Sequence, residues 1–324
     1  MTTNNNKISI EQGSGGAASA DLISQLRKTY QLDSNWTNTE DDGAVFDLGN
    51  EKLVFTTDAF IVDPVFFAGG DIGKIAMCGT INDLAVMGAK PIGLSVSIII
   101  EEGFPKEDLL KIAKSINKIS QQTNIPVVTG DTKVTDKGKI DKIEITTAGV
   151  GLTKTVINNS GAKIGDDIIT SGSLGDHAAV ILAHRFDYKT TLESDCQPLN
   201  QEIQSVLNML TSCKDPTRGG LAANLNEIAY KSKVKMILEE DQLPYKKQTV
   251  AICDLLGLSI FDLASEGRFV ATVNPKNTKA VLTKLKNAQV IGKVIEGNGI
   301  YLKTNLETLR KIENSSGKLI PRIC

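Results

Sequence analysis

The sequence predicts an α/β (α+β) chain built as two domains. Three observations carry that prediction. Strand-like, β-branched runs alternate with helix-period runs through both halves of the chain. The length of 324 residues suits roughly two domains of ordinary size. A polar stretch bearing Gly and Asn, TKTVINNSGAKIGDD (153–167), divides the two sets of elements. The expected organisation is a domain over 1–155, a second over 156–312 and a flexible tail over 313–324.

The first half opens with KLVFTTDAF (52–60), β-rich and ending in a polar turn. Residues 71–88 have helical spacing at Ile75, Cys78, Ile81 and Ala85. GLSVSIIIEEG (93–103) predicts a strand. KEDLLKIAKSINKISQQ (106–122) predicts an amphipathic helix with Leu109, Ile112, Ala113, Ile116 and Ile119 on one face. NIPVVTGDTKV (124–134) and KIEITTAGVGL (142–152) read as strands. In the second half, DDIITSG and VKMILEE are strand-like, as is the end of ASEGRFVATV. HAAVILAHR, LNQEIQSVLNML, RGGLAANLNEIAYKS and residues 276–287 are helix-like. Two short strands are expected near 290–303, then a helix over LETLRKIE (306–313).

Composition excludes several classes. Hydrophobic residues make up 41% of the chain and the formal net charge is -2, without the basic excess of a nucleic-acid binder. No run approaches the ~20 apolar residues of a membrane span, and MTTNNNKISI lacks the apolar core of a signal peptide. The five cysteines and two histidines are not spaced as a zinc set. Free thiols in a reducing cytoplasm are expected.

Acidic residues beside small ones carry the chemistry: Asp41 and Asp42 in EDDGAVF, Asp58 in TTDAF, Asp83 in INDLAVMG and Asp215 in KDPTRGG. Asp131 in VVTGDTKV is a further candidate. Carboxylates converging from several elements suit Mg²⁺, which takes oxygen ligands and shares them with phosphates. Taken singly, each is more readily read as capping a helix or starting a turn. Asp83 is the sharpest, because an acid inside an apolar helix needs solvent or a partner. The glycines of RGG (218–220) open a helix whose free N–H groups can hold phosphate. GSGG (13–16) reads as a linker on composition alone.

In their order along the chain, DDGAVF, TTDAF, INDLAVMGAKP, TGDTKV and DPTRGGLA resemble the aminoimidazole-ribonucleotide-synthetase-like (PurM-like) ATP-binding superfamily over nearly the whole length. The final Pro321-Arg322-Ile323-Cys324, with GDH (175–177) and SEGR (265–268), resembles one of its members, the HypE family of hydrogenase maturation. Two positions depart: Glu11-Gln12-Gly13 stands where that family carries a histidine, and Ala178 where a glycine follows GDH.

The resemblance implies a PurM-like N-terminal ATP-binding and dimerisation domain, a C-terminal α/β domain, and ATP with Mg²⁺ as cofactors. It implies that a carbamoyltransferase, HypF, loads a carboxamide on Cys324, that ATP-dependent dehydration makes it a thiocyanate, and that the cyano group passes to iron on a HypC–HypD scaffold. Asp42, Asp58, Asp83 and Asp215 match the metal positions. Asp131, Gly130, Arg218 and Gly219 join them around the nucleotide, with the GSGG loop beside the phosphates. Cys324, Lys133 and Glu266 are the implied catalytic set: Glu266 as base, Lys133 steadying the amide oxygen or phosphate. A homodimer is implied, with neither nucleic acid nor membrane as partner. Another ATP enzyme of the superfamily, such as the purine cyclo-ligase or selenophosphate synthetase, is the alternative. The twelve residues from Glu313 to Cys324 could extend roughly 40 Å at about 3.3–3.6 Å each, enough to reach the chain's own site.

Overall fold

The computed structural model describes residues 7–13, 16–31, 33–314 and 322–324. Its first half contains helix α1 (Gly16–Thr29) and strands β1 (Trp36–Thr37), β2 (Ala44–Asp47) and β3 (Lys52–Phe60). A small hairpin of β4 (Phe66–Phe67) and β5 (Gly70–Asp71) leads into helix α2 (Ile72–Val86). Strand β6 (Lys90–Glu101), helix α3 (Lys106–Thr123), β7 (Val127–Thr135) and β8 (Ile143–Thr153) follow. The second half runs β9 (Asp167–Thr170), α4 (Asp176–Arg185), α5 (Asn200–Val206), β10 (Leu210–Lys214), α6 (Gly220–Ser232) and β11 (Lys235–Glu239). It ends with α7 (Lys247–Leu256), β12 (Val270–Val273), α8 (Pro275–Lys284), β13 (Gln289–Ile295), β14 (Gly299–Lys303) and β15 (Leu309–Ile312).

Two mixed sheets organise these elements. The first has the order β1-β2-β3-β8-β6-β7, the second β10-β12-β9-β13-β11-β14-β15. In the first, alternation puts Val54, Thr56 and Phe60 of β3 and Ile143, Ile145 and Thr147 of β8 on the buried side, under α2 and α3. The opposite side carries exposed Phe55 and partly exposed Val150.

Helix α2 is apolar all round and almost wholly buried. A helix with that pattern must pack on every side. It lies on β3 and β8, against α3, and also against α5 and β10 of the second half. Asp71 starts it, accepting the Lys74 N–H at 3.0 Å. Helix α3 buries Ile112, Ile116 and Ile119 of its predicted stripe.

One predicted helix is a strand. LETLRKIE contains good helix formers, yet Leu309–Ile312 pairs antiparallel with β14 and drives Ile312 into the core under α6. Edge pairing and that burial outweigh local propensity. LNQEIQSVLNML is helical as expected, α over Asn200–Val206 and 3-10 over Leu207–Met209, and its last residue, Leu210, begins a strand. Helices α1 and α7 carry no expectation from the sequence reading. Gly16 begins α1 rather than continuing a linker, while Ser14 and Gly15 of GSGG lie outside the described residues.

Candidate active site

Four elements bring the aspartates together. Asp58 is the third-last residue of β3, on its helix-facing side. Asp83 projects from α2, and Asp42 precedes β2. Asp215 follows β10, whose strand ends at Lys214. Carboxylate oxygens of Asp42, Asp83 and Asp215 lie within 4.8 Å of one another. Hydroxyls fix two of the side chains: Thr56 donates to Asp83 at 2.8 Å, and Thr80 donates to Asp58 at 3.1 Å.

This acid cluster is shielded from solvent, and Lys214 and Arg218 beside it offset only part of its negative charge. Burial, then Asp58 and Asp215, holds Asp83 well above the usual carboxylate range. Burial and the Asp42 charge push Asp215 up to about 7. Burial also raises Asp58, against the pull of Thr80 and Arg218. Like-charged, desolvated oxygens at this separation fit a divalent cation, which would let all of them ionise.

Lys214 was not singled out from sequence, although it precedes Asp215. It pairs with Asp42 and reaches Glu227 at 3.3 Å. Despite burial, these partners keep it well above the usual lysine range. Lys231 joins Glu227 at 2.6 Å to Asp41 at 2.7 Å, so Asp41 is engaged in an ion pair beside the cluster. Helix α6 thus holds the Asp41-Asp42 turn. Gly219 caps that helix with φ +81°, a conformation that favours glycine.

Arg218, Asp58, Asp83, Asp215, Glu266 and Cys324 line one small cavity. The Cys324 thiol lies against the Glu266 carboxyl. Burial first, then Glu266, pushes that thiol well above its usual range; burial and the neighbouring Asp215 and Asp195 do the same to Glu266. Glu266 Oε1 has no hydrogen-bond partner among the described residues. The backbone around Glu266 is held firmly: its N–H donates to Asp195 at 2.8 Å, and its carbonyl accepts from Asn82 at 3.2 Å. Asn82, beside Asp83 on the apolar helix, carried the same sequence signal as Asp83. Nothing in SDCQP marks Asp195.

Gly130, Asp131 and Lys133 lie elsewhere within the single chain. They sit on β7, the exposed edge strand of the first sheet. Pairing of Ser97 with Asp131 and Ile99 with Lys133 puts both side chains on the sheet side away from α2 and α3. Asp58 faces the helices, three strands further in. A Cβ on Gly130 would meet the Val96 carbonyl oxygen at 2.2 Å, so close strand approach accounts for that glycine. Of the sequence-selected residues, the fold unites Asp42, Asp58, Asp83, Asp215, Arg218, Glu266 and Cys324.

Known proteins share this chain's sequence and fold. The model for the N-terminal domain of AIR synthase related proteins matches residues 40–153, and that for their C-terminal domain matches 163–305. The chain is 41% identical to a putative hydrogenase expression/formation protein of Methanocaldococcus jannaschii, covering 98% of this chain and 100% of that one. It is 37% identical to carbamoyl dehydratase HypE of Rhizobium leguminosarum, covering 99% of this chain and 96% of the relative. A solved HypE–HypF complex superposes with a TM-score of 0.85 at 35% identity, over 91% of this chain and 99% of that one. HypE solved with ATP superposes at 0.81 and 35% identity, over 98% and 100%. On sequence, domain content and architecture alike, the chain belongs to the HypE family of AIR synthase related proteins.

Proposed function

We propose that the chain uses Mg²⁺ and ATP to dehydrate a carboxamide carried on its own Cys324 to a thiocyanate. The observation that carries this reading is the placement of the last residue: the Cys324 thiol faces Glu266 in the cavity that also holds Asp58, Asp83 and Asp215. A solved HypE complex with ATP supports the nucleotide, and one with HypF supports a carbamoyltransferase as loading partner.

The chemistry requires the carboxamide oxygen to become a leaving group. It takes the γ-phosphoryl group, ADP departs, and one N–H proton is lost. Glu266 accepts the remaining N–H proton as the C–O bond breaks, giving the C≡N bond and inorganic phosphate. Asp42, Asp83 and Asp215 would hold Mg²⁺, which when bound neutralises phosphate charge and relieves their mutual repulsion. Arg218 faces the same cavity and can take an anionic oxygen. The cyano group would then pass to iron on a HypC–HypD scaffold. No helix among the described residues is long and apolar enough to cross a membrane.

Mass spectrometry of the carbamoylated chain tests the reaction. Adding Mg-ATP is expected to remove one water from the Cys324 peptide, and an unchanged mass with full carbamoylation would sink the proposal. Cys324→Ala should abolish physiological activity.

Asp131 and Lys133 enter this scheme through a second copy of the chain. Their exposed sheet face, with Phe55, offers the surface for a homodimer. Lys133 would then act on the partner's carboxamide. Co-expressed Lys133→Ala and Cys324→Ala chains are expected to restore water loss that neither shows alone. Failure of mixed dimers to recover it would remove Lys133 from a role across the dimer.

A further inference from the structure

The chain's last three residues are held by backbone contacts unrelated to the acid cluster. The Ile61 N–H donates to the Cys324 carbonyl at 3.2 Å, and the Asp63 N–H donates to the Arg322 carbonyl at 3.3 Å. The tail end thus lies hydrogen-bonded beside the residues that follow β3. Arg185 also donates to the Arg322 carbonyl, and the Arg322 guanidinium pairs with Asp141. Ile323 is buried in the core with Ile72 and Ala178. Arg322 itself lies in the left-handed region at φ 55°, which a non-glycine residue keeps only where its surroundings hold it.

One carbonyl remains between these two, that of Ile323. Its partner is His177 Nε2, 2.7 Å away on the fully buried first turn of α4. A carbonyl only accepts, so Nε2 carries the hydrogen. Nδ1 is then an acceptor and takes the Ser194 hydroxyl proton at 2.8 Å. Ser194 Oγ in turn accepts the Cys196 N–H at 3.1 Å. Phe67 stands edge-on to the imidazole with centroids 5.3 Å apart, which fixes the ring plane. Every neighbour of the ring therefore selects one tautomer, aimed at the tail.

We infer that His177 is the positioning residue that seats the C-terminal dipeptide, holding Cys324 at Glu266 through the Ile323 carbonyl. The imidazole touches no reacting atom. Burial pushes its pKa down to about 4, so it is a neutral donor across the physiological range. The bond goes to the backbone and is independent of side-chain identity, while the buried Ile323 side chain reads its size. The idea deepens the dehydration proposal, yet the seat can be measured without it.

The test is the rate at which iodoacetamide alkylates Cys324 in the full-length, ATP-free chain. The other four cysteines are buried and serve as internal controls. His177→Phe keeps an aromatic ring and deletes the donor; Cys324 is expected to alkylate about tenfold faster, as loss of one buried hydrogen bond implies. His177→Gln retains an N–H donor and is expected to return the rate to within about threefold of the parent. An unchanged rate in His177→Phe, or equal acceleration in both variants at equal thermal stability, overturns the inference. Should His177→Phe not fold, Ser194→Ala carries the test, with an expected rise of about threefold and an unchanged rate overturning the seat. In carbamoylated chains, the reverse order is expected for water loss: fastest in the parent, slower in His177→Gln and slowest in His177→Phe. If alkylation follows its expected order while the parent chain never loses water, the seat stands and the dehydration reading falls.

Discussion

Glu266→Gln is expected to abolish water loss from the Cys324 carboxamide while the chain stays as stable or becomes more so. The two expectations have one source. Glu266 is 2% exposed, its Oε1 lacks a partner among the described residues, and burial beside Asp215 and Asp195 holds its pKa well above the normal range. A carboxyl with a raised folded-state pKa costs stability at every pH above its unfolded value, because ionising it in place is harder than in the unfolded chain. An amide of the same shape escapes that cost. It also cannot accept the proton whose removal completes the C≡N bond, a loss of about 10²–10⁴ in rate for a general base. Thermal unfolding and intact-mass kinetics on the same preparation check both. Unimpaired dehydration would remove Glu266 as the base, and a chain that loses activity only because it unfolds would leave the carboxyl a structural part.

Much of this site could be read from local pattern. Asp83 was visible because an acid inside an apolar helix has to find a reason, and α2 proves buried on nearly all sides. Asp58 was visible because β3 is strongly β-rich up to it. The α3 stripe followed from helical period alone. What stayed hidden depends on distant partners. Lys214 matters through Glu227 and Asp42, and Asp42 is far away in the chain. His177 meets Ile323 across 146 positions, and no periodicity encodes such a contact. The last strand was misread because LETLRKIE has helical propensity, whereas its fate is decided by the open edge of β14. Lys133 and Asp131 matched a motif, yet a single chain leaves them on the far face of its first sheet. The role proposed for them would need a second copy, which no reading of one chain's periodicity supplies.

The acid cluster makes a second large effect, visible in the metal-free chain as a dependence of stability on pH. Asp215 has a folded-state pKa of about 7 against an ordinary aspartate value of 3.8. Between those values the folded chain holds a proton that the unfolded chain has released. Stability therefore falls as pH rises from about 4 to about 7 and then levels off. Each unit of such a shift is worth about 1.4 kcal/mol, so Asp215→Asn is expected to gain roughly 2–4 kcal/mol on the parent chain across that window. Asp63 and Glu227, whose pKa values are lowered, slope the other way. They are common to both chains and cancel in the difference. Urea unfolding of the two proteins at a series of pH values measures it. Added Mg²⁺ should flatten the parent's excess slope, because a cation among Asp42, Asp83 and Asp215 favours their ionised forms, and should leave Asp215→Asn almost unchanged. Parallel curves for the two chains would mean that Asp215 ionises freely in the fold, and the carboxylates would then lack the mutual strain on which cation binding here is argued.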